Sequence, residues 1–189
     1  MKITVGICTN DNMKNDTVLS LLGLIGATKH SLHIILQPGC YVHESREKIV
    51  KAAIEAKSDY LFFMDADMKL PGNTIDRLLQ HDKDVIGCNY HCRQHPLEST
   101  VKIADKDWNI YPSQIPTQLF ECFGVGTGSM LVKMSVFVQI DKPWFSFDID
   151  KNGGIMGEDI FFCRQVKRAG MSVWCDPTIS VKHIGNYEY

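Results

Sequence analysis

No apolar run in these 189 residues approaches the roughly 20 that a membrane-spanning helix needs. An excess of either charge is missing too. Lys and Arg number 20 against 22 Asp and Glu, and the net charge of −2 offers no basic field to hold a nucleic-acid backbone. Repeats, low-complexity tracts and linkers are absent, so a single domain over residues 1–189 is expected. No secretory leader is visible, because Met1-Lys2-Ile3-Thr4-Val5 runs directly into a strand pattern. The seven cysteines are odd in number and mostly sit inside apolar runs, which favours reduced thiols over a disulfide framework. Reduced core thiols and a cytoplasmic location are the expectation.

Hydrophobic residues make up 44% of the chain, enough for one sizeable core. Residues 2–8, 32–36, 59–67 and 84–90 read as strands. Between them, residues 16–30, 43–57 and 71–80 read as helices. In the first helix Val18, Leu19, Leu22 and Ile25 form an apolar stripe. Strand and helix alternating in this way predict an α/β fold with a mainly parallel sheet and right-handed crossovers. The second half is mixed. Residues 91–118 have no clear period, and 121–133 look like a strand pair around Gly124, Gly126 and Gly128. A short helix is expected over 134–140, an extended aromatic stretch over 143–150 and a flexible turn at 151–154. A helix over 157–169 stops at Gly170, and short strands over 171–174 and 178–182 lead to His183.

The third strand is apolar at consecutive positions and ends in Asp65-Ala66-Asp67. A strand buried on both faces belongs to a helix-covered parallel sheet, whose carboxyl ends are where such sheets bind ligands. Two carboxylates there suit Mg²⁺ or Mn²⁺; a turn in which aspartates cap the backbone is the alternative. Glu158 and Asp159 open a helix, where acidic residues favour the dipole, and a carboxylate so placed also suits a general base. His183 is an acceptable further metal ligand, or simply a packed histidine. Asn89, Tyr90 and Arg93 at the fourth strand's end are ligand-contact candidates. The Cys88-x₃-Cys92 spacing departs from the close pair of a zinc site, and no second pair matches it. The three glycines lack the following helix of a dinucleotide fingerprint and instead permit close backbone approach.

In order and spacing these motifs resemble the GT-A glycosyltransferases, in particular small phage, viral or bacterial members of the family-two-like group. The resemblance spans almost the whole chain: Thr9 after the first strand, Arg46 in the second helix, Asp65-Ala66-Asp67 as the DxD motif, Gly126-x-Gly128, Glu158-Asp159, and Asp176-Pro177 leading to His183-x-Gly185. It implies a GT-A (nucleotide-diphospho-sugar transferase) fold, with residues 1–90 as the nucleotide-binding half and 91–189 as the acceptor-binding half. It also implies a hexosyltransferase-type enzyme moving a sugar from a UDP- or GDP-sugar to an acceptor hydroxyl with Mn²⁺ or Mg²⁺. By the same resemblance Asp67 ligates the metal, Asp65 reaches the ribose or the metal through water, and His183 is the third ligand. Thr9, Asp11 and Arg46 line the nucleoside pocket, and Ala66, Asn89 and Gly128 contact the nucleotide sugar. Asp159 is the base, and Glu158 holds the acceptor or the fold. Trp144 and Phe145 stack on a sugar or pack in the core.

The Gln-x-x-Arg-Trp of processive synthases is absent, so a non-processive enzyme is expected. A metal-ligating histidine also occurs in retaining relatives, so the resemblance leaves the stereochemistry open. Two alternatives accompany it: a sugar nucleotidyltransferase, and an inactive nucleotide-sugar-binding module. The first usually carries a Gly-rich phosphate loop after strand one, where this chain has Thr9-Asn10-Asp11-Asn12.

Overall fold

Alternation decides which way each strand faces. Along β3 (Tyr60–Asp65), Leu61 and Phe63 enter one apolar cluster while Phe62 and Met64 enter the other. A computed structural model describes residues 1–10, 12–93, 96–104, 112–149 and 153–185 of the chain. Before β3 come β1 (Lys2–Thr9), α1 (Asn15–Ala27), β2 (Ser31–Pro38) and α2 (Val42–Glu55). After it come β4 (Met68–Lys69), α3 (Thr74–Gln80), β5 (Val85–Cys88), β6 (Phe120–Cys122) and β7 (Ser129–Lys133). The chain then forms α4 (Val136–Gln139), β8 (Asp148–Ile149), β9 (Ile155–Met156), α5 (Glu158–Arg168), β10 (Val173–Asp176) and β11 (Lys182–His183). No helix among the described residues is long and apolar enough to cross a membrane.

Seven strands form one sheet in the order β2-β1-β3-β7-β5-β10-β6. β2, β1, β3, β5 and β10 share one direction; β7 and β6 run against it. α2, α4 and α5 cover one face through Ile49, Ala53, Phe137, Phe162 and Val166. α1 and α3 cover the other through Leu24, Ile75 and Leu78. Gly6 lets α2 press close to β1, because a Cβ there would lie 2.2 Å from Ile49 Cγ2.

Two expectations need correction. The α1 stripe does not face the core: Val18, Leu19, Leu22 and Ile25 are between 40% and 66% exposed. α1 instead turns Thr17, Ser20 and Leu24 inward. Ser20 Oγ accepts the Leu70 N–H at 2.9 Å, and Gly23 lies against Gly72, so small and polar residues bring the helix onto the segment after β3. Periodicity finds a stripe but not the surface it meets. Second, β6 and β7 are both strands but do not pair with each other. β6 edges the sheet against β10, and β7 inserts between β3 and β5. A third expectation has two branches, and Trp144 and Phe145 take the core-packing one: both are buried and do not stack on a ligand. Phe145 packs on Phe162 with ring centroids 4.9 Å apart, and Trp144 Nε1 donates to the Phe137 carbonyl at 3.2 Å. The expected turn at 151–154 is described only from Gly153, which has a φ of +83°.

Asp176 closes the far end of the sheet. Its Oδ1 accepts from Thr178 N–H at 2.9 Å, and its Oδ2 lies 3.0 Å from His81 Nε2 and 3.7 Å from Arg77. Burial works against this carboxylate, but the bonds from Thr178 and His81 and the charge of Arg77 outweigh it and hold its pKa below the usual value. A depressed carboxylate contributes stability above its unfolded pKa of about 4, which is lost as pH falls through the folded value. Melting temperatures recorded from pH 7 downward are therefore expected to drop more steeply below about pH 4 in the wild type than in Asp176→Asn. Parallel curves would show that Asp176 is not a source of the acid lability.

Candidate active site

The carboxyl ends of β1, β2 and β3 lie side by side, and the loops leaving them are stitched together. Lys14 N–H donates to Ala66 O at 2.9 Å, Gly39 N–H to Thr9 O at 3.2 Å, and Ile184 N–H to Asp67 O at 2.7 Å. They enclose a cavity of about 650 Å³ whose walls include Thr9, Arg46, Asp65, Ala66, Asp67, Arg93 and His183. Seven of the site residues expected from the sequence thus meet in one place: Thr9, Arg46, Asp65, Ala66, Asp67, Arg93 and His183. Asp11 lies outside the described residues. Asn89, Gly128, Glu158 and Asp159 do not line the cavity. Asn89 Oδ1 accepts from Ser99 Oγ at 2.6 Å, and Gly128 N–H donates to the buried Tyr90 hydroxyl at 2.9 Å. A Cβ at Gly128 would lie 2.7 Å from that hydroxyl, so the glycine makes room for Tyr90. Sequence reasoning passed over Asn10, Asn12, Lys14, Gly39 and Cys40, which also line the cavity. The signal was available for the last two, since Pro38-Gly39 marks the carboxyl end of a parallel strand.

Asp65 and Asp67 divide the work. Asp65 Oδ1 lies 3.1 Å from Arg46 Nη2, and Arg46 also pairs with Glu158 through Nη1. Arg46 is almost wholly buried, on α2, between the end of β3 and the start of α5. Burial disfavours its charge, yet Asp65, Cys8, Asp159 and Tyr90 more than compensate and raise its pKa further. Glu158 therefore anchors the first turn of α5. Its neighbour Asp159 is held there too: Oδ1 accepts the Ile160 N–H at 2.7 Å. Burial pushes the Asp159 pKa up and Asp65 adds to the rise, against the pull of Arg46. A carboxylate raised in this way is better suited to accept a proton near neutral pH.

Asp67 faces the other way. Its Oδ1 lies 3.2 Å from His183 Nε2 and its Oδ2 lies 2.9 Å from Arg93 Nη1. Burial opposes its charge, but the bond and charge of His183 and the charge of Arg93 win, and its pKa is lowered. His183 Nδ1 lies 3.3 Å from the His91 carbonyl, which only accepts, so Nδ1 carries a proton. In a neutral ring Nε2 then directs a lone pair at a carboxylate oxygen. Two acceptors so placed need a proton or a cation between them. Adjacent ligands of an octahedral ion with bonds of about 2.1 Å sit about 3 Å apart, so the pair fits Mn²⁺ or Mg²⁺. A backbone carbonyl on the far nitrogen is also the usual support of a metal-binding histidine. Among the described residues no group of three or more His, Cys, Asp or Glu side chains is placed to hold a metal. With Asp65 engaged by Arg46, the described residues offer two candidate ligands, Asp67 and His183.

No protein-family model matches the chain, and no curated protein matches its sequence. Solved structures do match its fold. The crystal structure of A197 from STIV superposes with a TM-score of 0.67 at 18% identity, covering 98% of this chain and 86% of that one. GalNAc-T7, crystallised with UDP, GalNAc and Mn²⁺, matches with a TM-score of 0.59 at 12% identity over 98% of this chain, which spans 44% of that structure. The catalytic domain of Drosophila β1,4-galactosyltransferase 7, in complex with xylobiose, matches with a TM-score of 0.59 at 17% identity, over 98% of this chain and 71% of that one.

Proposed function

Given that the chain has the GT-A fold, we propose that it transfers a sugar from a nucleoside-diphosphate sugar to an acceptor hydroxyl in a non-processive reaction. The observation that carries this is the gathering of Asp67, His183, Arg93 and the Arg46–Asp65 pair around one cavity, with Glu158 reaching Arg46 from behind that wall. GalNAc-T7, with UDP and Mn²⁺ bound, supports the same class of donor and metal. Asp67 and His183 would hold the ion, Mn²⁺ or Mg²⁺, and when bound it neutralises the charge developing on the diphosphate leaving group. Arg93, at the cavity rim, moves from Asp67 to the diphosphate oxygens. Thr9 and its loop border the nucleoside, while Gly128 acts from behind by making room for Tyr90, whose ring meets His183 edge-on at 5.7 Å. Asp159 takes the proton from the acceptor hydroxyl, and Arg46 with Glu158 keeps α5 where Asp159 can do so. Residues 1–90 thus supply most of the donor side, and residues 91–189 supply the acceptor side.

A thermal-shift screen of UDP- and GDP-sugars tests this. Stabilisation is expected only with Mn²⁺ or Mg²⁺ present, and no metal-dependent shift with either nucleotide would remove the proposal. Asp159→Asn is expected to keep the shift and lose transfer by about 10²–10⁴-fold. A variant that also lost donor stabilisation would move Asp159 from proton acceptor to donor site.

A further inference from the structure

The hairpin of β8 and β9 leads directly into Gly157, Glu158 and Asp159, and its two sides differ. One side is fixed: Met156 is buried, and Asp148 pairs with Arg164 of α5. The other side is bare. Ile149 and Ile155 are cross-strand partners, so their side chains share a face, and they are 69% and 72% exposed. Phe147, two residues before Ile149 and 46% exposed, extends that face. Its ring meets His43 edge-on at 5.2 Å, and His43 lies 6.2 Å from Tyr41, which is 65% exposed. Tyr41 sits between Cys40 and Val42, both of which line the cavity. A row of rings therefore runs from the rim of the cavity to an isoleucine pair next to the candidate base. Asp148, the one charged residue of the two strands, faces away from it.

We propose that this strip receives the acceptor, and that the acceptor is amphiphilic: a hydroxyl-bearing head against the rings, joined to an aliphatic tail lying on Ile149 and Ile155. The proposal rests on the transfer activity above and names its acceptor class. Among the described residues the strip presents no charge of its own, which offers little to an ionic polymer. It gives an aliphatic chain apolar area to remove from water. The strip starts beside two cavity-lining residues, Cys40 and Val42, and its second strand runs into the helix that carries Asp159, so a head seated on the rings lies toward both.

The test uses the full chain with labelled isoleucine δ1 methyl groups and two probes, n-octyl and methyl β-glucoside, the former below its micelle concentration. Octyl glucoside is expected to shift the Ile149 and Ile155 methyl signals with saturation, and methyl glucoside to leave them in place. Ile25 on α1, exposed and equally apolar, is expected to stay unmoved. Ile155→Ser, whose other methyl signals report an intact fold, is expected to weaken octyl glucoside binding at least tenfold. Absence of hairpin shifts overturns the proposal, as does an equal shift at Ile25, which would mark general hydrophobic adsorption. A metal-dependent nucleotide shift that persists alongside a negative result here would leave the transferase activity standing and remove the acceptor class alone.

Discussion

Arg46→Met is expected to lower folding stability by about 3–5 kcal/mol, the range for removing one partner of a buried ion pair. Arg46 is 4% exposed and answers carboxylates from two other elements, Asp65 at the end of β3 and Glu158 at the start of α5. Without it those carboxylates stay close together with no cation between them, and Asp159 loses its nearest positive charge. Arg46→Lys is expected to recover little, since one ammonium cannot reproduce a planar fork that meets two carboxylates through separate nitrogens. Arg46→Met combined with Glu158→Leu should recover part of the loss, because it removes a charge from each side. Urea unfolding of the three variants measures this. A loss under about 1 kcal/mol for Arg46→Met would place the strength of the α2–α5 junction in its apolar contacts instead.

The second large effect is at Asp67. A nucleoside-diphosphate sugar held at about 100 times its Kd stabilises a protein by about 2.7 kcal/mol. For a chain of this size that amounts to a rise in Tm of about 5–11 °C. Asp67→Asn is expected to abolish the metal-dependent part of that rise while moving the Tm of the free protein little, because its partner Arg93 has a side chain 48% exposed and such pairs contribute little. Asp65→Asn, by contrast, acts on Arg46 and is expected to lower the Tm of the free protein. A titration with Mn²⁺ and with UDP- and GDP-sugars separates the two. Retention of the full metal-dependent shift by Asp67→Asn would exclude it as a ligand.

The sequence disclosed what is local. The run from Tyr60 to Met64 announced a strand buried on both faces, and its acidic end announced the site. The Gly157 start and Gly170 stop of α5 were equally legible. What depends on distant partners was not. Val18, Leu19, Leu22 and Ile25 have perfect helical spacing, yet Ser20 and Gly23 decide how α1 docks, through Leu70 and Gly72. β6 and β7 look like neighbours in the chain and are separated in the sheet by β5 and β10. Arg46 was expected to line a nucleoside pocket; it borders the cavity, and its clasp on Glu158 depends on two segments far apart in sequence. His183 carried little signal of its own; it was found through the resemblance, and its orientation comes from a backbone carbonyl at His91.

The place of β7 bears on how the chain assembles. Ser129–Lys133 lies between β3 and β5, pairing Tyr60 with Lys133 and Met64 with Ser129. As the polypeptide emerges from the ribosome, β3 already has β1 beside it, but its other edge waits for a segment some sixty residues downstream. Closing so long a loop is entropically slow, and pairing of this kind raises contact order. The strand that ends in Asp65 is therefore completed late, and a nascent chain of about ninety residues exposes an apolar edge that invites strand pairing with other chains.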